Sequence, residues 1–179
     1  MQIETHINLI DEILNGWEQK LGGDYTGYRN HVYRMLNFCF ALKNADREDR
    51  EKIVIAGCFH DLGIWAGDTF DYLPPSIVLA KDYLVKTEKV NWAPEIESMI
   101  GTHHKVRKYS ENQFPATETF RQADLVDFSL GFIKCGLPRD YVQSVRREFP
   151  NAGFHQRILR LAAGRVCRHP LNPVPVLKW

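Results

Sequence analysis

A chain of 179 residues, 44% hydrophobic and 25% charged, has the makeup of one globular domain rather than of a disordered or membrane-embedded polypeptide. Its net charge of +1 supplies no global attraction to nucleic acid or to an anionic membrane. Charge is divided locally: residues 138–179 carry eight Lys and Arg against Asp140 and Glu148, a net +6 that leaves −5 for the rest. Cys39, Cys58, Cys135 and Cys167 are widely spaced without a C-x-x-C pair and read as free thiols. The segment Met1–His6 is acidic where a signal peptide is basic, and the longest apolar run, 53–59, is too short to span a bilayer. The expectation is a cytoplasmic protein with no membrane partner.

Ile3, Ile7, Ile10, Leu14 and Trp17 recur at helical spacing and predict a first helix, stopped by Gly22-Gly23. A second helix, capped by Asp24 or Thr26, carries His31, Met35, Phe38 and Leu42 on one stripe. A third, from about Asp46, carries Ile53, Gly57, His60 and Ile64. Residues 63–72, rich in Gly, Asp and aromatic side chains, read as a loop, after which Pro74-Pro75-Ser76 opens a fourth helix to about Lys86. Asn91 is the candidate cap of a fifth helix with Ile96, Met99, Ile100 and His103 inside, ending near His104. Past a polar loop through Gln113, a sixth places Phe120, Asp124 and Phe128 in line. Leu137-Pro138 starts a seventh, and Asn151 caps an eighth that reaches about Arg168. Residues 169–179, with three prolines, read as an extended tail. There is no strand pattern and no repeat, so the predicted fold is an all-α single-domain bundle of about seven to eight helices.

A carboxylate buried among apolar residues costs several kcal/mol unless a cation compensates it, which makes Asp61 and Asp124 on inner faces informative. No Lys or Arg is read on the same inner stripes, whereas His31, His60 and Asp61 come from adjacent helices. Two imidazoles and two carboxylates suit a divalent transition ion, and the adjacent His60-Asp61 pair directs its side chains about 100° apart on one helix. A lone inward histidine is more often a hydrogen-bonded core residue. The argument rests on the four together.

The order His31, then His60-Asp61-Leu62-Gly63, then Asp124 resembles the H…HD…D pattern of the HD-domain superfamily over roughly Tyr28 to Phe128. The resemblance implies a helical bundle with His31, His60, Asp61 and Asp124 as ligands of one divalent ion (Mn, Fe, Co, Ni or Zn). It also implies a phosphohydrolase acting on a small phosphorylated molecule, for which a nucleotide is one candidate. Such an ion lowers the pKa of a coordinated water from about 15.7 toward about 7. His103 and His104, at a helix C-terminus, are the next catalytic candidates. Asp71, in Thr69-Phe70-Asp71-Tyr72, resembles the acidic segment of small HD proteins such as the cyanamide hydratase-like group and is the candidate base, with Asp68 behind it. Lys105, Arg107 and Lys108 are candidate phosphate contacts, a solvated basic loop being the plainer alternative. Asp127 is either a support one turn beyond Asp124 or an exposed pair.

Two-metal relatives resemble H…HD…H…H…D, and the histidine expected soon after the HD pair is missing here, which favours one ion over two. Ile64 stands where the 5′-deoxynucleotidase branch carries Glu, and the Gly-Tyr-Pro motif of the cyclic-dinucleotide branch is missing. Two other classes compete: a non-phosphate enzyme (a nitrile-like hydratase, or an oxygenase similar to the di-iron myo-inositol oxygenase group), and a non-catalytic, metal-stabilised binding module. Nucleic acid is disfavoured because Arg157, Arg160, Arg165 and Arg168 spread around their helix, and an oligomer is left open.

Overall fold

A computed structural model describes residues 1–67, 71–105, 107–110 and 113–168, with side chains through 163. The expected tail, Asp68, Phe70 and the Cys167 side chain lie outside the described residues. Those residues form helices and turns with no strand. Eight helices have eight residues or more: α1 (Asn8–Asn15), α3 (Tyr25–Leu42), α4 (Arg47–Phe59), α6 (Leu73–Lys86), α7 (Ala93–Thr102), α8 (Pro115–Phe128), α9 (Arg139–Glu148) and α10 (Phe154–Arg168). Two single-turn helices, α2 (Glu18–Leu21) and α5 (Gly63–Ala66), complete the order. No helix among the described residues is long and apolar enough to cross a membrane. Cys39, Cys58 and Cys135 are free thiols.

The fold is organised around α3. A helix with one apolar stripe lies on a surface; α3 is instead buried continuously from Asn30 to Cys39, the pattern of a central helix. It packs most extensively on α8, and also on α4, α9 and α10. Helix α7 bridges α4, α6 and α8 on the other flank. Gly57 allows α3 and α4 to close up, since a Cβ there would stand 3.0 Å from Leu36 Cδ2 and 3.1 Å from Met35 Cε.

Several boundaries differ from the sequence-based expectation. Residues 1–7 are not helical: Ile7 is extended, and the segment is held by paired bonds from Glu4 N to Asn37 Oδ1 (2.8 Å) and from Asn37 Nδ2 to Glu4 O (3.1 Å). Helix α4 starts next to Asp46, close to the expected point, and Asp46 caps it by accepting from Asp49 N. Asp24 caps nothing with its side chain and accepts instead from Trp65 Nε1. Asn91 falls in a 3-10 turn, and α7 begins at Ala93. Helix α4 stops at Phe59, so Ile64 belongs to α5 rather than to one long stripe. That stop is anchored at Gly63, whose N donates to Ser76 Oγ at 2.9 Å and where a Cβ would come within 2.3 Å of Tyr72 O.

Candidate metal centre

Four elements deliver polar side chains to one point in the core: the middle of α3 (His31), the turn after α4 (His60, Asp61), the end of α7 (His103, His104) and α8 (Asp124). His31 Nε2 lies 2.9 Å from His60 Nε2. Asp61 Oδ2 stands 3.6 and 3.4 Å from these two nitrogens, and Asp124 Oδ1 3.7 and 3.8 Å from them. The structure therefore brings together the four residues of the expected ligand set. His31, His60 and Asp61 form one group spaced to hold an ion, and Asp61, His103 and His104 form a second.

Each imidazole is oriented from behind. His60 Nδ1 donates to Gly57 O (2.8 Å) and His103 Nδ1 to Ile100 O (2.7 Å), each three residues upstream. A carbonyl only accepts, so both Nδ1 atoms carry hydrogen and both Nε2 lone pairs face the centre when the rings are neutral. His31 Nδ1 donates to Asp127 Oδ2 at 2.7 Å with the same result. Burial pulls the His60 pKa down to about 3, keeping that ring neutral at physiological pH.

Asp127 is fully buried and is the support behind His31, not an exposed pair. It is neutralised by Arg34, whose Nε donates to Oδ1 (2.5 Å) and Nη2 to Oδ2 (2.8 Å). The expectation that no cation sits on the inner stripes is thus corrected at Arg34, which is 1% exposed and whose Nη1 also donates to Phe149 O. Arg34 does not serve Asp61 or Asp124, for which no Lys or Arg partner is found among the described residues.

The cluster fits a bound cation on three counts. His31 and His60 each spend Nδ1–H on an outer acceptor and face each other through Nε2 at 2.9 Å, a contact of two lone pairs that a cation beside them relieves. Asp61 Oδ1 and His103 Nε2 are buried without a hydrogen-bond partner although only 3.4 Å apart. The nitrogen and oxygen donors are those that divalent transition ions take. Without a cation the two carboxylates diverge: burial pushes Asp124 up to about 6, whereas for Asp61 the effect of burial is outweighed by His60 and His103, which hold it well below the usual carboxylate range.

The other expected residues fall at different distances from this point. His103 is buried against Asp61, and its pKa is raised because Asp61 and Asp124 outweigh burial. His104 Nδ1 lies 3.9 Å from Asp124 Oδ2, and burial followed by the neighbouring His103 lowers its pKa well below that of free histidine. Lys105 lines the cavity above the cluster, but Arg107 and Lys108 are exposed and do not. Asp71 is exposed and not among the lining residues; its neighbour Tyr72 is, with its hydroxyl 2.5 Å from His104 Nε2. Phe128, expected inside, is 56% exposed because it ends α8 and overhangs the cavity. Sequence reasoning missed Tyr72, Arg34 and the start of α10. There Phe154 stacks on His31 with centroids 4.1 Å apart, and His155 Nε2 meets Asp127 O at 3.1 Å.

The cavity that opens from the cluster has a volume of about 620 Å³, within the range of small-molecule sites. Comparison with known proteins adds no assignment: no protein-family model, no curated protein and no solved structure matches the chain.

Proposed function

We propose that the chain is a metal-dependent phosphohydrolase of the HD-domain type, acting on a small phosphate monoester at the base of this cavity. The observation that carries the reading is the set of three imidazoles locked from behind, with Nε2 turned toward two buried carboxylates that have no Lys or Arg partner among the described residues. His31, His60, Asp61 and Asp124 would hold the ion. Bound there, a divalent ion supplies Lewis acidity toward a phosphoryl oxygen and a water acidic enough to ionise near neutral pH.

The remaining residues have work of their own. Asp61 and Asp124 balance the positive charge, so the dry site tolerates both an ion and an anionic substrate. Tyr72 is kept protonated by burial, and its hydroxyl, which also bonds Asp61, pairs with His104 Nε2; where it donates there, the His104 hydrogen sits on Nδ1, available to a substrate oxygen. Lys105, on the same wall, attracts the phosphate charge. Arg121, also on the wall, is committed to Glu118 (2.8 Å) and to Lys105 O (3.1 Å), and so positions Lys105.

A specific observation favours a second reading, a dinuclear centre of the kind a di-iron oxygenase requires. Asp61 turns Oδ2 toward His31 and His60 and Oδ1 toward His103, as a bridging carboxylate does. With a second ion His104 Nε2 would donate to the Tyr72 hydroxyl and Nδ1 would be free to hold the ion, an arrangement a hydroxyl permits. The test is metal content per chain together with turnover on phosphate monoesters, for wild type and His60→Ala. One ion and phosphatase activity, both lost in the variant, support the first reading. Two ions without phosphatase activity support the second, and a folded protein that takes up no divalent metal contradicts both.

A further inference from the structure

Apart from the polar cluster at its base and from Lys105, Arg121 and His155, the described residues that wall the cavity are apolar. Ile64, Leu125, Phe154, Ile158, Leu159 and Ile133 line it, Ile64 and Phe154 buried, Ile133 and Leu159 exposed. The same character continues outward: Phe128, Leu130, Ile133 and Leu159 line the opening at 56, 41, 47 and 68% exposure, and Phe132 beyond them is 84% exposed. Isolated exposed hydrophobic residues are ordinary, but a continuous apolar track from a buried polar centre to the surface marks a ligand path.

Among the described residues the polar groups on that track are few, and apart from Lys105, which the phosphate head would take, they are already engaged. Arg121 is held by Glu118, and His155 by Asn151 Oδ1 (3.2 Å) and Asp127 O (3.1 Å). A nucleobase or sugar placed here would surrender its hydrogen bonds to water and find almost none in return, a loss that strongly disfavours it. An alkyl or aryl group gives up nothing and gains the burial. We infer that the substrate is an amphiphile: a phosphate monoester whose reacting head sits at the His and Asp cluster and whose apolar body fills the cavity toward Leu159 and Ile133. This inference rests on the phosphohydrolase reading for the head group and on the cavity wall for the body.

The experiment is a series of linear alkyl phosphates, ethyl to decyl, assayed with metal-loaded protein beside adenosine monophosphate. In parallel, ethyl- and octylphosphonic acid, which cannot be hydrolysed, are titrated calorimetrically into metal-free and metal-loaded protein. The expected result is a kcat/KM that rises about two- to fourfold per methylene until the cavity is full and then levels off, with the nucleotide well below octyl phosphate. Leu159→Asp and Ile133→Asp, at exposed rim positions that leave the core untouched, flatten the upper part of the series. A flat series, or a nucleotide preferred to octyl phosphate, overturns the inference while leaving the phosphohydrolase reading intact. If no phosphate ester is turned over but octylphosphonic acid still binds at least tenfold more tightly than ethylphosphonic acid, the chemistry falls and the apolar site stands. Equal binding of the two phosphonic acids removes the apolar site.

Discussion

Two buried acidic layers lie one helical turn apart in this molecule, and they are solved differently. Asp127 is enclosed by partners the chain itself supplies: the Arg34 guanidinium on both oxygens, and the His31 ring. Asp61 and Asp124, on the other side of His31, are almost as deeply buried, and among the described residues their ion-pair partners are imidazoles, with the Tyr72 hydroxyl beside Asp61. Buried charge is tolerated when paired and costly when not, so the first layer is complete as folded, whereas the second is a group of side chains that could hold a metal ion. The contrast separates a structural ion pair from a site.

The largest effect should come from breaking the complete layer. Arg34→Met leaves Asp127 charged with only the His31 ring and the more distant Arg146 (3.9 Å) beside it, and chemical denaturation should show a loss of about 3–5 kcal/mol whether or not metal is present. Next is metal removal. At a free metal concentration about a hundredfold above Kd the ion adds about 2.7 kcal/mol, seen as a fall in Tm on chelation and recovery on re-addition. Asp124→Asn should cancel that gain yet leave the chelated protein within about 1 kcal/mol of wild type, or more stable, because it removes an uncompensated buried charge. If Asp124→Asn proves as damaging as Arg34→Met in the chelated state, the two layers are not different in kind.

The smallest effect concerns a pair that belongs to neither layer. Burial acts to raise the Glu118 pKa, but hydrogen bonds from Arg121 and Tyr109 N outweigh it and hold the carboxyl below its usual range. A depressed folded pKa contributes stability that is present above the unfolded value and is lost as pH falls through the folded one. Glu118→Gln should therefore lower stability by under about 1 kcal/mol at pH 7, and in acid unfolding curves the difference from wild type should shrink as pH falls below the unfolded value of about 4.3 and vanish below the depressed folded pKa.

What the sequence disclosed follows from which signals are local. Helical periodicity located the long helices, and the spacing of His31, His60-Asp61 and Asp124 marked residues that the fold brings together. Arg34 escaped because arginine is ordinarily a surface residue, and its burial depends on Asp127 and on the Phe149 carbonyl, far along the chain. Tyr72 was overlooked beside Asp71 because a carboxylate looks like chemistry and a tyrosine looks like core. The docking of Gly63 against Tyr72 and Ser76 turns the tyrosine inward and leaves the aspartate exposed. Phe154 and His155 reach the site only through the return of α10 across α3, which no spacing announces. At the N-terminus Ile3 and Ile7 happen to keep helical spacing, yet side-chain bonds from Asn37 and Tyr33 hold that backbone out of the helix.

The central claim is that the Asp61 and Asp124 layer is completed by a divalent ion. Its most direct test is calorimetric titration of chelator-treated protein with Mn, Fe, Co, Ni and Zn salts, for wild type and for Asp124→Asn. Saturable binding of at least one of these ions to wild type, with affinity reduced at least tenfold in the variant, is the predicted result. A folded wild-type chain that binds none of them, or a variant that binds equally well, would contradict it.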